Sequence, residues 1–272
     1  MSRENRSKTI GRPFRVAAWR SSPCGFETAR KHTRAREDQR GQMRILLVGH
    51  GKMGQLVGEL AGQYDCEVAG VIDPVSPLHG GGPDADRWTG VEVAIDFSTA
   101  ASVPTNAAVL ARRGICLVVG TTGWSRHEVA LRQVIADAGV GIVVAPNFST
   151  GVVLFEAIVA QAAKLFAPQA DFGAFLHEAH HAAKKDAPSG TALLLKHAME
   201  HAGFSRPIDV SSARAGFIPG THTVGFDGPA ETITLTHAAR DRTAFARGAL
   251  AAARWIQGKQ GWYTMHDVLG VG

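Results

Sequence analysis

The sequence predicts an α/β chain in two parts. The first is a Rossmann-like, doubly wound parallel sheet, and the second is an α+β part with an open mixed sheet. Three observations predict this. Short apolar runs alternate with helical runs from Met43 to Ser149. The first apolar run ends in a glycine-rich turn, Gly49-His50-Gly51-Lys52-Met53-Gly54. Beyond residue 171, strand-like runs begin to follow one another without a helix between each pair.

In chain order, Arg44–Val48 is a short, fully apolar strand, followed by the glycine turn and a helix over QLVGELAGQ. A second strand, EVAGVI, ends at Asp73, 19 residues after Gly54. Strand, G-x-G-x-x-G, helix, strand and acid together form a dinucleotide fingerprint. The glycines allow a tight turn, close approach of backbone to a pyrophosphate, and close helix–strand packing. The pyrophosphate then rests on helix N-terminal amides, and Asp73 accepts hydrogen bonds from ribose hydroxyls. The alternation continues with strand 91–98, helix 104–114, strand 115–120, helix 125–139 and strand 141–145. Continuously apolar strands separated by helices predict a parallel sheet covered on both faces. Ligands bind such sheets beyond the carboxyl ends of the strands, where Gly120-Thr121-Thr122 and Ala145-Pro146-Asn147-Phe148 fall.

After Gly151 the rhythm changes. A long helix (152–166) leads to the strand DFGAFLHEAH, a helix (191–203), and strands within 210–216, 221–226 and 231–239. A last helix (242–258) has apolar spacing suited to packing on a sheet. The expected division is a dinucleotide-binding domain of residues 43–149 and 241–272, with 150–240 for substrate and oligomerisation.

Charge narrows the function classes. Residues 1–42 hold nine Arg and two Lys against four acids, so the net +5 of the chain conceals a body of net −2. The basic surplus lies in a leader without apolar periodicity, expected to be disordered or to precede the true start at Met43. A nucleic-acid partner, which needs basic charge clustered on a folded face, is not expected. Neither is a membrane span, since no apolar run approaches about 18 residues. Three widely spaced cysteines argue against a disulfide framework and for a reducing compartment, the cytoplasm.

Residues 175–195 read FLHEAHHAAKKDAPSGTALLL, and His177–His181 satisfies the H-E-x-x-H zinc pattern. That pattern needs a helix. Here an alternating strand precedes it, and Pro188 disfavours helical backbone just beyond it. In a strand His177 and His181 stand about 13 Å apart at ~3.3 Å per residue, too far to share one ion. No metal is expected, and His177 reads as a hydrogen-bonded strand residue. The segment suits an anion instead. Ser189-Gly190-Thr191 opens a helix, where free amides meet small hydroxyls. His180, His181 and Lys184 add donors and charge. A histidine and a lysine beside a carboxylate can also deliver a proton. The two halves together suit hydride transfer to a small anionic substrate.

From Glu178-Ala179-His180-His181 through Lys184 to Asp186-Ala187-Pro188-Ser189-Gly190-Thr191-Ala192, the chain closely resembles the signature of dihydrodipicolinate reductases. Supporting matches include Asp96-Phe97-Ser98, Gly120-Thr121-Thr122-Gly123, Arg214-x-Gly216, Gly220-x-His222-x-Val224 and Gly261-x-Tyr263-x-Met265. The resemblance covers residues 43 to 272. It implies reduction of the cyclic dicarboxylate 4-hydroxy-tetrahydrodipicolinate with loss of water, in lysine and diaminopimelate biosynthesis. NADH or NADPH would be the reductant and a homotetramer the assembly. By the same resemblance His180 exchanges the proton and Lys184 is the second donor. His181, Ser189, Gly190 and Thr191 hold substrate carboxylate. Gly120–Thr122 and Ala145–Phe148 border the nicotinamide, while Gly49, Gly51, Lys52, Met53, Gly54 and Asp73 are the cofactor-binding residues of the glycine-loop fingerprint. Two departures stand out. The first glycine loop is compact, and Pro74-Val75 follow Asp73 where some members carry Arg for a 2′-phosphate. Asp73 repels that phosphate, so an NADH preference is expected. An aspartate dehydrogenase or an NAD(H)-sensing protein would share the cofactor half without needing His180, His181 and Lys184.

Overall fold

The computed structural model describes residues 41–271. Apart from its last two residues, the basic leader lies outside the described residues. The first sheet has six parallel strands in the order β10-β5-β4-β3-β1-β2. These are β1 (Met43–Val48), β2 (Cys66–Ile72), β3 (Val93–Asp96), β4 (Cys116–Val119), β5 (Gly141–Val144) and β10 (Gly261–Tyr263). Ile45, Leu46, Leu47 and Val48 of β1 are all at most 2% exposed, which requires cover on both faces. Helices α1 (Lys52–Leu60) and α6 (Thr243–Ile256) pack together on one side, and α2 (Val103–Arg112) and α3 (Glu128–Ala138) pack together on the other. Burial of each large aliphatic side chain contributes about 1.5–3 kcal/mol, so this double cover is the main source of the sheet's stability.

The chain leaves β1 toward β2 on one side and later returns to β3 on the other. The crevice at that reversal, beyond the strands' carboxyl ends, is the expected ligand position. Gly248 of α6 fixes one wall of it. A Cβ there would collide with the carbonyl oxygen of Phe148, so the helix sits against the backbone that follows β5.

Helix α4 (Thr150–Phe166) starts at Ser149, whose hydroxyl accepts from Val152 N–H, and leads to the second sheet. Its order is β7-β6-β8-β9, with β6 (Gly173–His180), β7 (Ile208–Arg214), β8 (Thr221–Asp227) and β9 (Thr232–Ala238). The β6–β7 pair is parallel and the other two pairs are antiparallel. One face buries Leu176, Val224 and Phe226 against α4 and α5 (Gly190–His201). The strand read through residue 180 is therefore a strand, and His177 points to β7, its Nδ1 2.9 Å from Ser211 Oγ. A short helix, α7 (Met265–Leu269), follows β10. Cys66 and Cys116 are buried free thiols. Among the described residues, no helix is long and apolar enough to cross a membrane.

Candidate active site

Two adjoining recesses open at the carboxyl ends of the parallel strands. The smaller, about 470 Å³, is lined by Gly51, Lys52, Met53 and Thr121 among others. It shares Met53, Phe97, Gly120 and Thr122 with the larger, of about 900 Å³. The larger also takes in Pro146, Asn147 and Phe148, and on its far side His180, His181, Lys184, Ser189, Gly190 and Thr191. The expected substrate residues and, of the expected cofactor residues, Gly51, Lys52, Met53, Gly120, Thr121, Thr122, Pro146, Asn147 and Phe148 thus border one continuous cleft.

The residues on the first side fit a dinucleotide. Gly51 caps α1 without a side-chain hydrogen bond, and the first turn carries no acid, so its amides are available to an anion. A Cβ on Gly51 would meet nothing within 4 Å, so the space above it is open. Gly49 and Gly54 act differently: they shape the loop and do not line the cleft. Gly49 has φ +89 and lies against the backbone of Phe97, and a Cβ on Gly54 would strike the Gly49 carbonyl. Asp73 lies outside both recesses. Its carboxylate accepts from the N–H groups of His50 (2.7 Å) and Val75 (3.1 Å), tying the glycine loop to the end of β2. Ala145 is buried, and the cleft begins only at Pro146.

Asp96, unnoticed as a site residue in the sequence, organises this side. Its Oδ1 accepts from Ser98 N–H, Ser98 Oγ and Thr121 Oγ1 at 2.7–2.9 Å, fixing the Gly120–Thr122 turn. Burial pushes its pKa up, against the lowering effect of those bonds. Gly120 lies beneath the Phe97 ring, where a Cβ would collide, and Phe97 meets Phe148 edge-to-face at 6.0 Å.

On the other side, Ser189 is the N-cap of α5, its hydroxyl accepting from Ala192 N–H at 3.2 Å. A Cβ on Gly190 would meet nothing within 4 Å, leaving the helix start open. Lys184 Nζ donates to both oxygens of Asp186, at 2.7 and 2.9 Å, and this pairing lowers the Asp186 pKa. Beneath them lies Glu178, fully buried and one alternation before His180 on β6. Its Oε1 accepts from Ser189 N–H (2.9 Å), Ser212 Oγ (2.8 Å) and Arg214 Nη2 (2.7 Å). Arg214 also donates to the Asp186 carbonyl, bracing the loop that carries Lys184. Burial opposes the charge on Glu178, but these donors outweigh it and hold its pKa at about 2. Burial lowers the His180 pKa, Glu178 opposes that, and Lys184 and Arg214 reinforce it. His222 on β8 is pushed down to about 4 by burial, then by His180.

Glu178, His180 and His222 bring three ligand atoms within 4.8 Å of one another. The Arg214 guanidinium already balances the Glu178 carboxylate, so the cluster suits proton sharing better than a dication. His177 takes no part in it.

These shifts set an acid limit on stability. His222 binds its proton near the ordinary 6.5 when unfolded but only near 4 when folded, so stability falls as pH drops through that window. Glu178 extends the loss from 4.5 toward about 2. The thermal midpoint is expected to fall between pH 6.5 and 4, and His222→Gln to flatten that limb. An unaltered pH profile in the variant would refute this origin.

A glycine-loop sheet facing a cleft lined by His180, His181 and Lys184 suits a dinucleotide-dependent oxidoreductase. Residues 43–148 match the family model described as dihydrodipicolinate reductase, N-terminus, and residues 151–269 match its C-terminal counterpart. A 4-hydroxy-tetrahydrodipicolinate reductase from Rhodopseudomonas palustris (strain TIE-1) is 37% identical, over 92% of this chain and 96% of that one. One from Methanoregula boonei is 38% identical, over 84% and 97%. The fold matches a dipicolinate-bound dihydrodipicolinate reductase from Paenisporosarcina sp. TG-14, with TM-score 0.70 and 21% identity, over 82% and 97% of the two chains. The chain belongs to the dihydrodipicolinate reductase family.

Proposed function

We propose that this chain reduces 4-hydroxy-tetrahydrodipicolinate to tetrahydrodipicolinate with NADH or NADPH, taking up a hydride and a proton and releasing water. The observation that carries this reading is the single cleft with a glycine-loop anion site at one end and His180, Lys184 and the α5 N-terminus at the other. The bound dinucleotide supplies the hydride. Gly51, Lys52 and Met53 would hold its pyrophosphate, and Gly120–Thr122 with Pro146–Phe148 would border its nicotinamide. Residues 43–149 with 241–272 serve the cofactor, and 150–240 serve substrate and assembly.

The α5 amides at Gly190 and Thr191, with Ser189 and His181, hold a substrate carboxylate, because helix N-termini favour negative charge. His180 delivers a proton from the wall of the cleft. Lys184, salt-bridged to Asp186, is the second donor and a counter-charge to the dianionic substrate. The edge strand β9 and the outward face of the second sheet, which carries Phe175, Thr223 and Thr234, are where four copies would associate. The cytoplasm is the expected setting.

Asp73 stands at the end of β2 with Pro74 and Val75 after it and no neighbouring Arg in sequence to receive a 2′-phosphate. We expect a higher kcat/KM with NADH than with NADPH. Initial rates with both cofactors on enzymatically generated substrate test the reaction and the preference together. Turnover with neither overturns the reaction, and equal values overturn only the preference.

A further inference from the structure

Glu178 distributes its hydrogen bonds unevenly. All three of its donors converge on Oε1, while Oε2 is buried with no partner. A carboxylate that served only to hold α5 and Arg214 would be expected to use both oxygens. Oε2 instead faces His180 Nδ1 at 3.4 Å, and that nitrogen is also buried and unpartnered. Two orphaned polar atoms this close are costly apart and satisfied together by one shared proton. His222 Nε2 lies farther from Oε2, at 3.6 Å, and has Ser189 Oγ at 3.2 Å instead.

We propose that Glu178 is a positioning residue for the reduction: it receives the Nδ1–H of His180 and so turns Nε2 to the cleft as the proton-carrying atom. This rests on the reading of His180 as proton donor. Gly220 supports the orientation. A Cβ there would lie 3.1 Å from His180 Nε2, so glycine leaves that atom uncovered. The charged and titratable groups facing the pair are Arg214 from β7, His222 from β8, and Lys184 and Asp186 from the loop after β6. His237 of β9 acts on His222. Arg214 and Lys184 repel a proton on His180, so the Glu178 charge keeps the imidazolium accessible. Through Oε1 the same carboxylate fixes Ser189, so proton donor and carboxylate cradle share one anchor.

The first test needs no variant in the measured sample. Long-range proton–nitrogen correlation on 15N-histidine-labelled enzyme, with His180 assigned from its missing signals in His180→Gln, reports its neutral tautomer. Nδ1–H is expected, and Nε2–H would overturn the proposal whether or not the chain turns over. The second test is the pH profile. In Glu178→Gln the pH above which kcat/KM falls is expected to move down by about 1–3 units, with NADH binding retained. An unmoved profile in a folded variant would overturn the proposal. If the variant does not fold, the tautomer of the parent enzyme decides. Absence of turnover in the parent contradicts the reduction itself, an outcome separate from a wrong tautomer.

Discussion

His180→Gln and Lys184→Ala are each expected to lower kcat by about 10²–10⁴, the usual contribution of a positioned proton donor, with NADH affinity retained. Both side chains line the cleft opposite the glycine loop, so neither change touches the dinucleotide side. Lys184→Ala also frees Asp186, leaving a negative charge at the mouth of the proposed carboxylate site. Its KM for substrate should therefore rise, whereas His180→Gln should act mainly on kcat. Steady-state kinetics with a fluorescence titration of NADH distinguish the two patterns. Full activity in either variant would remove that residue from the mechanism.

Gly54→Ala is expected to weaken dinucleotide binding by roughly tenfold to a hundredfold. The added Cβ would meet the Gly49 carbonyl oxygen, a backbone atom unable to rotate away. Gly49 is itself held by its φ of +89 and by its N–H bond to the Ile72 carbonyl at 2.9 Å. The collision can be relieved only by opening the loop or shifting α1, and overpacking of this kind costs about 1–3 kcal/mol. Taken from binding, that is one to two decades in Kd. Calorimetric titration with NADH measures it, and an unchanged Kd would show that the loop does not grip the cofactor.

The parts of the molecule visible in the sequence are those written locally. The strand–glycine–helix run at 44–60 needs only neighbouring residues, and the strand ending in His180 shows its alternation directly. The metal pattern at 177–181 could be set aside for the same reason. Glu178 was harder to see, because its role comes from register between strands. It stands opposite Ser212 on β7 and His222 on β8, tens of residues away. An acid at an inward position of a buried strand was the available signal. The role of Asp96, named in the sequence only within a family match, depends likewise on distance, since its partner Thr121 belongs to the next strand's turn. The three-residue β10 carries no periodicity of its own. It is a strand because Gly261–Tyr263 pairs with Gly141–Val143 at the sheet edge.

Reduction of a cyclic dicarboxylate by a dinucleotide held in the same cleft is open to one direct measurement, a coupled assay. The preceding synthase makes substrate in place from pyruvate and aspartate semialdehyde, and NADH absorbance is followed alongside product mass. NADH loss is expected to depend on this chain, at one equivalent per tetrahydrodipicolinate formed, and to be largely absent with His180→Gln. Folded protein that binds NADH yet consumes none in the presence of that substrate would contradict the reduction.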